Sequence, residues 1–287
     1  MKLTFNLLVV ALLLSPAVFG QYAAPKPGLI ETPYQELPLG AIKPKGWLLE
    51  MLVRQKDGST GSMDKQYPLV MGSRNGWLGG DGDQWERGPY WVDGLLPLAY
   101  ILQDKALIAK VKPWIEWSIK SQTPDGYFGP SKDYPGENGV QRDNARDWWP
   151  KMVMLKILKQ YYSATGDKRV ITLMTNYFKY QLNELPTKPL DHWTYWAKFR
   201  AGDNLAIVYW LYNKTGDQFF WNQCIVNLSK QPIRYHFRNL HGYPGRFRYG
   251  GLVGRTVSPA QRKCRTDLCF DKKYHSQHGP GSGYRRA

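Results

Sequence analysis

Between Gly88 and Gln231 apolar residues return every three or four positions, in segments of helical length divided by short polar hinges. Trp148, Met152, Leu155, Leu158 and Tyr162 share one helical stripe. Trp221, Cys224, Ile225 and Leu228 follow the i, i+3, i+4, i+7 spacing. Cys224 therefore reads as a small core hydrophobe rather than a nucleophile. One hinge occurs twice, as ATGDKR at 164–169 and KTGDQF at 214–219. Gly166 and Gly216 suit the left-handed residue that ends a helix, and Asp167 and Asp217 can cap the next one. Asp104 in LQDKAL should cap in the same way. These signals predict three helical hairpins, over about 89–121, 147–183 and 203–231. Pro113 falls inside the second helix of the first hairpin and should kink or split it. Few segments look like strands. The predicted fold class is all-α, a toroid of repeated helical hairpins.

The pattern changes at both ends. Residues 1–20 combine Lys2, an unbroken apolar run from Leu7 to Leu14 and the small Val18 and Gly20, and read as a cleaved secretory signal. The run is too short to cross a bilayer. No other segment could span one, so a secreted protein, extracellular or periplasmic, with no membrane partner after cleavage is expected. Residues 21–240 form the expected domain. Residues 241–287 lose the apolar period and carry eight Gly and ten basic residues. They read as a basic tail of low order, either a frameshift product or a native segment for anionic partners.

Composition adds three limits. The net charge is +16, but the last 54 residues supply +10 of it through twelve Lys or Arg against two Asp. The overall charge is thus a poor argument for nucleic acid, and no nucleic-acid partner is expected. Three cysteines, Cys224, Cys264 and Cys269, make neither a disulfide framework nor a spaced zinc motif. Of five histidines, only His192 precedes residue 236, so a histidine metal cluster is not expected and no metal ligand is assigned. Asp81 and Asp83, in GGDGDQ, read as a tight turn or as part of a calcium site without EF-hand spacing. Asn213 and Asn227 open glycosylation sequons.

Candidate chemistry gathers where each leading helix begins. The stretch WLGGDGDQWERGPYWVDGLLPLAY (77–100) mixes acids with large aromatics, and Asp143, Asp147, Trp148, Trp149 and Asp203 precede or open the later hairpins. If the leading helices are parallel, these starts converge on one face. Glycosidic bond cleavage needs such a mixture: carboxylates to move protons and flat rings to stack on sugars. The candidate catalytic acids are Glu86, Asp93 and Asp147. The candidate substrate contacts are Trp85, Tyr90, Trp148, Trp149, His192 and Trp193. Each has a structural alternative: Asp147 and Asp203 as helix caps, Glu86 as the partner of Arg87 or Arg142, and His192 as loop packing.

Taken in order, WLGGDGDQWERGPYWVDGLLPLAYILQD, SQTPDGYFGP, DWWPKMVMLKILKQYYSATGDKRVI and WLYNKTGDQ resemble the catalytic domain of glycoside hydrolase family 127, the β-L-arabinofuranosidase-like group, over about residues 39–240. The resemblance implies an (α/α)6 barrel, a secreted setting and retaining hydrolysis of arabinofuranosyl or related bonds in plant-type or microbial glycans. It also implies a cysteine nucleophile held at zinc by further cysteines and a glutamate. Cys224, Cys264 and Cys269 do not match those positions, so no catalytic residue is carried over, and zinc rests on the resemblance alone. Two other readings stay open: a non-catalytic or vestigial glycan-binding protein, and a toroidal polysaccharide lyase acting on uronic acids. Half a toroid would also leave apolar flanks bare, favouring self-association.

Overall fold

A computed structural model describes residues 26–27 and 36–225. The signal segment, the basic tail, the sequon at Asn227 and the later part of the third hairpin lie outside the described residues. Those described are helical, with no strand among them beyond a single antiparallel bridge between Glu137 and Val140. The helices are α1 (Trp47–Asp57), α2 (Ser59–Gln66), α3 (Pro68–Met71), α4 (Arg87–Leu102), α5 (Lys105–Lys120), α6 (Trp148–Thr165), α7 (Arg169–Glu184), α8 (Trp196–Phe199) and α9 (Ala201–Thr215). A π-type turn at Phe220–Ile225 follows.

The hinges form as local chemistry dictates. Gly166 (φ 71°) and Gly216 (φ 70°) end α6 and α9 in the left-handed conformation, donating to Tyr162 and Tyr212 carbonyls. Asp104 accepts from Leu107 N at 3.0 Å, Asp167 from Arg169 N at 3.0 Å and Asp217 from Phe219 N at 2.9 Å. Asp203 does not cap: α9 begins two residues earlier, leaving it in the first turn. Nor does Pro113 divide its helix, since α5 runs unbroken from Lys105 to Lys120. Pro113 lies on the solvent side, as does Ala109, whose carbonyl loses its partner, so water can satisfy it. Asn213 sits in the last turn of α9 with Oδ1 near Lys26 N at 3.4 Å, a helical setting for that sequon.

Two layers result. The leading helices α4, α6 and α9 pack side by side in chain order, and α5 and α7 pack outside them. Contacts run in step along the pair α4–α6: Glu86 meets Trp149, Asp93 meets Lys156, and Tyr100 meets Tyr161. The two helices are therefore parallel, with their N-termini together. Between the layers Trp77, Phe128, Tyr177, Trp148 and Tyr180 pack largely edge-to-face, with neighbouring ring centroids 4.9–6.5 Å apart. The long 121–147 connection is part of this core, because Tyr127 and Phe128 are buried. Its returning segment is held by a four-residue ion network in which Arg74 and Arg142 each pair with both Asp81 and Glu137. By contrast α1 buries no residue, and its Trp47, Leu48 and Met51 are 67%, 48% and 50% exposed.

Candidate active site

The start of α4 and the returning loop flank an open, shallow pocket of about 360 Å³ lined by Trp85, Glu86, Arg87, Gly139, Val140 and Gln141. That size is at the small end of ligand pockets. The loop arrives there by backbone pairing: Gln84 N donates to Gln141 O at 2.8 Å, and Tyr134 N to Arg142 O at 2.8 Å. Buried Asp83 accepts from Gln141 N at 3.1 Å and is ion-paired with Arg87. Asp81 belongs to the arginine network. Both acids of GGDGDQ thus engage guanidinium and amide groups.

Glu86 is half-buried beside the pocket. Burial pushes its carboxyl above the usual carboxylate range, against the opposing effects of the Trp149 indole N–H that it accepts and of nearby Arg200. Tyr90, one turn into α4, is 42% exposed and lies 6.0 Å from the Trp149 ring. Glu86, Asp93, Arg200 and Asp203 all act electrostatically on the Tyr90 hydroxyl, whose proton is held more tightly chiefly because of burial. The segments that open α4 and α9 therefore contribute charge to one neighbourhood, beside the Trp149 ring of α6.

The other candidates have different positions. Asp147 is fully buried: Oδ1 caps α6 by accepting from Trp149 N at 3.2 Å, while Oδ2 accepts from Trp85 Nε1 at 2.9 Å and Thr194 Oγ1 at 2.7 Å. Its carboxylate thus has three donors and no solvent contact. Asp93 is paired with Lys156 at 2.7 Å and Gln160 at 2.9 Å, deeper along the helices. Trp148 is fully buried, with its indole N–H on Lys188 O, and has no open face for a sugar. Trp149 is nearly so, covered by Arg200 at 4.8 Å. His192 is exposed and packs edge-on against Trp193 at 4.7 Å, which in turn meets Trp148 at 5.3 Å. Both lie in the segment that Thr194 ties to Asp147, at the same end of the molecule but outside the pocket lining. Sequence reasoning missed Arg87, Gly139, Val140, Gln141 and Arg200. Only Arg87, the first residue of α4, and Arg200, immediately ahead of α9, share the helix-start position that singled out the acids.

Zinc is the metal that the family resemblance implies. Among the described residues no three His, Cys, Asp or Glu side chains converge, and the acids nearest the pocket are bound to indoles or, for Asp83, to Arg87 and the Gln141 amide. The three cysteine side chains lie outside the described residues. The described part does not fit a zinc centre, and no step is derived through one.

Helical hairpins whose leading helices open together onto acids and rings make this an all-α domain of paired helices. Residues 42–231 match the family described as Beta-L-arabinofuranosidase, GH127 catalytic domain. The chain belongs to that family, whose fold is an (α/α)6 toroid. No curated protein and no solved structure matches it.

Proposed function

We propose that this chain is a secreted glycoside hydrolase acting on arabinofuranosyl or related glycosidic bonds, with the substrate entering at the shared N-terminal end of α4, α6 and α9. The observation that carries the reading is Glu86: a half-buried carboxyl whose pKa burial raises above the usual carboxylate range, at the edge of a pocket, beside exposed Tyr90. A carboxyl of raised pKa is suited to protonating a leaving oxygen. Tyr90 supplies the open ring face, Trp149 aims Glu86, and Asp147 holds Trp85 and Trp149 in place. No helix among the described residues is long and apolar enough to cross a membrane.

The test is turnover of paired arabinofuranosides with good and poor leaving groups. Glu86→Gln should lower kcat on the poor leaving group by ~10²–10⁴-fold and on the good one far less. Equal rates for variant and wild type would remove Glu86 from the reaction. A second reading, glycan binding without turnover, is favoured by one fact: of the three candidate acids only Glu86 lines the pocket. Saturable binding with no product would select it.

A further inference from the structure

Arg200 has not been given a role by the proposed function, and its setting is unusual. It is the last residue before α9 and is exposed to solvent. Its guanidinium lies 4.8 Å from the Trp149 ring centroid and 5.8 Å from that of Trp196. Contacts to two indoles restrain the group and shed water from its faces while leaving the N–H edges to solvent. Arg74, Arg87 and Arg142, the other arginines around the pocket, are all ion-paired to carboxylates. Among the described residues Arg200 has no ion pair and no side-chain hydrogen bond. It is nevertheless close enough to the reactive end to influence both Glu86 and Tyr90.

We propose that Arg200 is a specificity-determining residue that receives the carboxylate of a sugar acid in the substrate, so that the site takes uronate-bearing glycans in preference to neutral ones. A planar fork already oriented by two rings matches a carboxylate through two parallel hydrogen bonds. The acids around Tyr90, namely Glu86, Asp93 and Asp203, favour a single negative charge over a dianionic phosphate. Occupation also feeds back on the chemistry. Glu86 is acted on by Arg200 from the start of α9, by Asp147 from α6 and by Asp83 from the turn before α4. Of these only Arg200 draws its proton away. A carboxylate bound to Arg200 cancels that field and leaves Glu86 better able to stay protonated. The inference rests on the proposed function, because it assigns the charge class of the same site's substrate.

The experiment compares arabinofuranosyl-galacturonic acid with its methyl ester, using the full chain and titration calorimetry at low and high salt. The acid should bind at least about ten-fold more tightly than the ester, a ratio that shrinks with salt. Arg200→Gln should bring the ratio to about one. Arg200→Lys, which keeps the charge but not the fork, should restore part of it. Where turnover is measurable, the basic limb of the pH profile should lie higher for the acid than for the ester. Equal binding of acid and ester by wild type, or a preference that survives Arg200→Gln, overturns the inference while leaving the hydrolase reading intact. Binding of neither probe overturns both.

Discussion

Replacing Lys151 by methionine should flatten the alkaline rise in stability that this protein is expected to show. Lys151 is fully buried in the first turns of α6, donating to the carbonyls of Ala145 and Pro130 and lying over the rings of Trp77 and Tyr127 at 5.6 and 5.2 Å. No carboxylate among the described residues touches it. Burial lowers its pKa to about 7 from the 10.5 of an ordinary lysine, with Asp147 opposing. Between those two values the unfolded chain holds a proton that the folded one lacks, so stability climbs as pH rises. The residue contributes roughly 1.4 kcal/mol per pH unit in that window, and nothing further above it. Below about pH 7 both states are protonated and the full cost of roughly 5 kcal/mol persists. Urea denaturation of wild type and Lys151→Met, followed by tryptophan fluorescence from about pH 7.5 to 9.5, reads the difference directly. Wild type should gain ~2–3 kcal/mol relative to the variant across that range. Methionine roughly preserves volume, and the Tyr127 hydroxyl still reaches both carbonyls, so the fold should survive. Parallel curves, with a constant offset across the range, would refute the burial argument.

Two further outcomes test the fold. Gly126 has φ 99°, and a Cβ there would stand 2.3 Å from the Asn176 carbonyl oxygen, so Gly126→Ala should cost at least ~2 kcal/mol in chemical denaturation; a change under ~0.5 kcal/mol would contradict the backbone placement. The exposed apolar face of α1 should drive self-association, and the double variant Trp47→Glu, Met51→Lys should weaken it by ~10- to 100-fold in sedimentation velocity; a wild type monomeric at every concentration would refute this.

The hairpins were legible in the sequence because their signals are local. A glycine that turns left-handed and an aspartate two residues before an amide need no tertiary partner, and the hinges at Gly166 and Gly216 fold as read. Helix parallelism followed from hairpin order. The acids were harder to sort, since Glu86, Asp93 and Asp147 look alike in sequence. Their environments are decided by residues far along the chain: Trp149 for Glu86, Lys156 and Gln160 for Asp93, Trp85 and Thr194 for Asp147. The pocket wall at Gly139–Gln141 was invisible for the same reason. It has no period of its own and is positioned by Asp83 through Gln141, by Arg74 through Glu137 and by Asp81 through Arg142, contacts that each span some 58 to 63 residues. Pro113 misled because the cost of a proline depends on which side of the helix faces water.

Asp147 gives the molecule a mechanical character that a row of repeats would not have. Its two oxygens reach the segment entering α4, the first turn of α6 and the segment entering α8 and α9. A simple stack of hairpins can shed its end units one at a time, each neighbour surviving alone. Here a single sunken side chain is common property of three successive units, so loosening one strips hydrogen bonds from the other two. The open end of the arc, where a sugar would sit, should therefore hold its shape until the whole array gives way together.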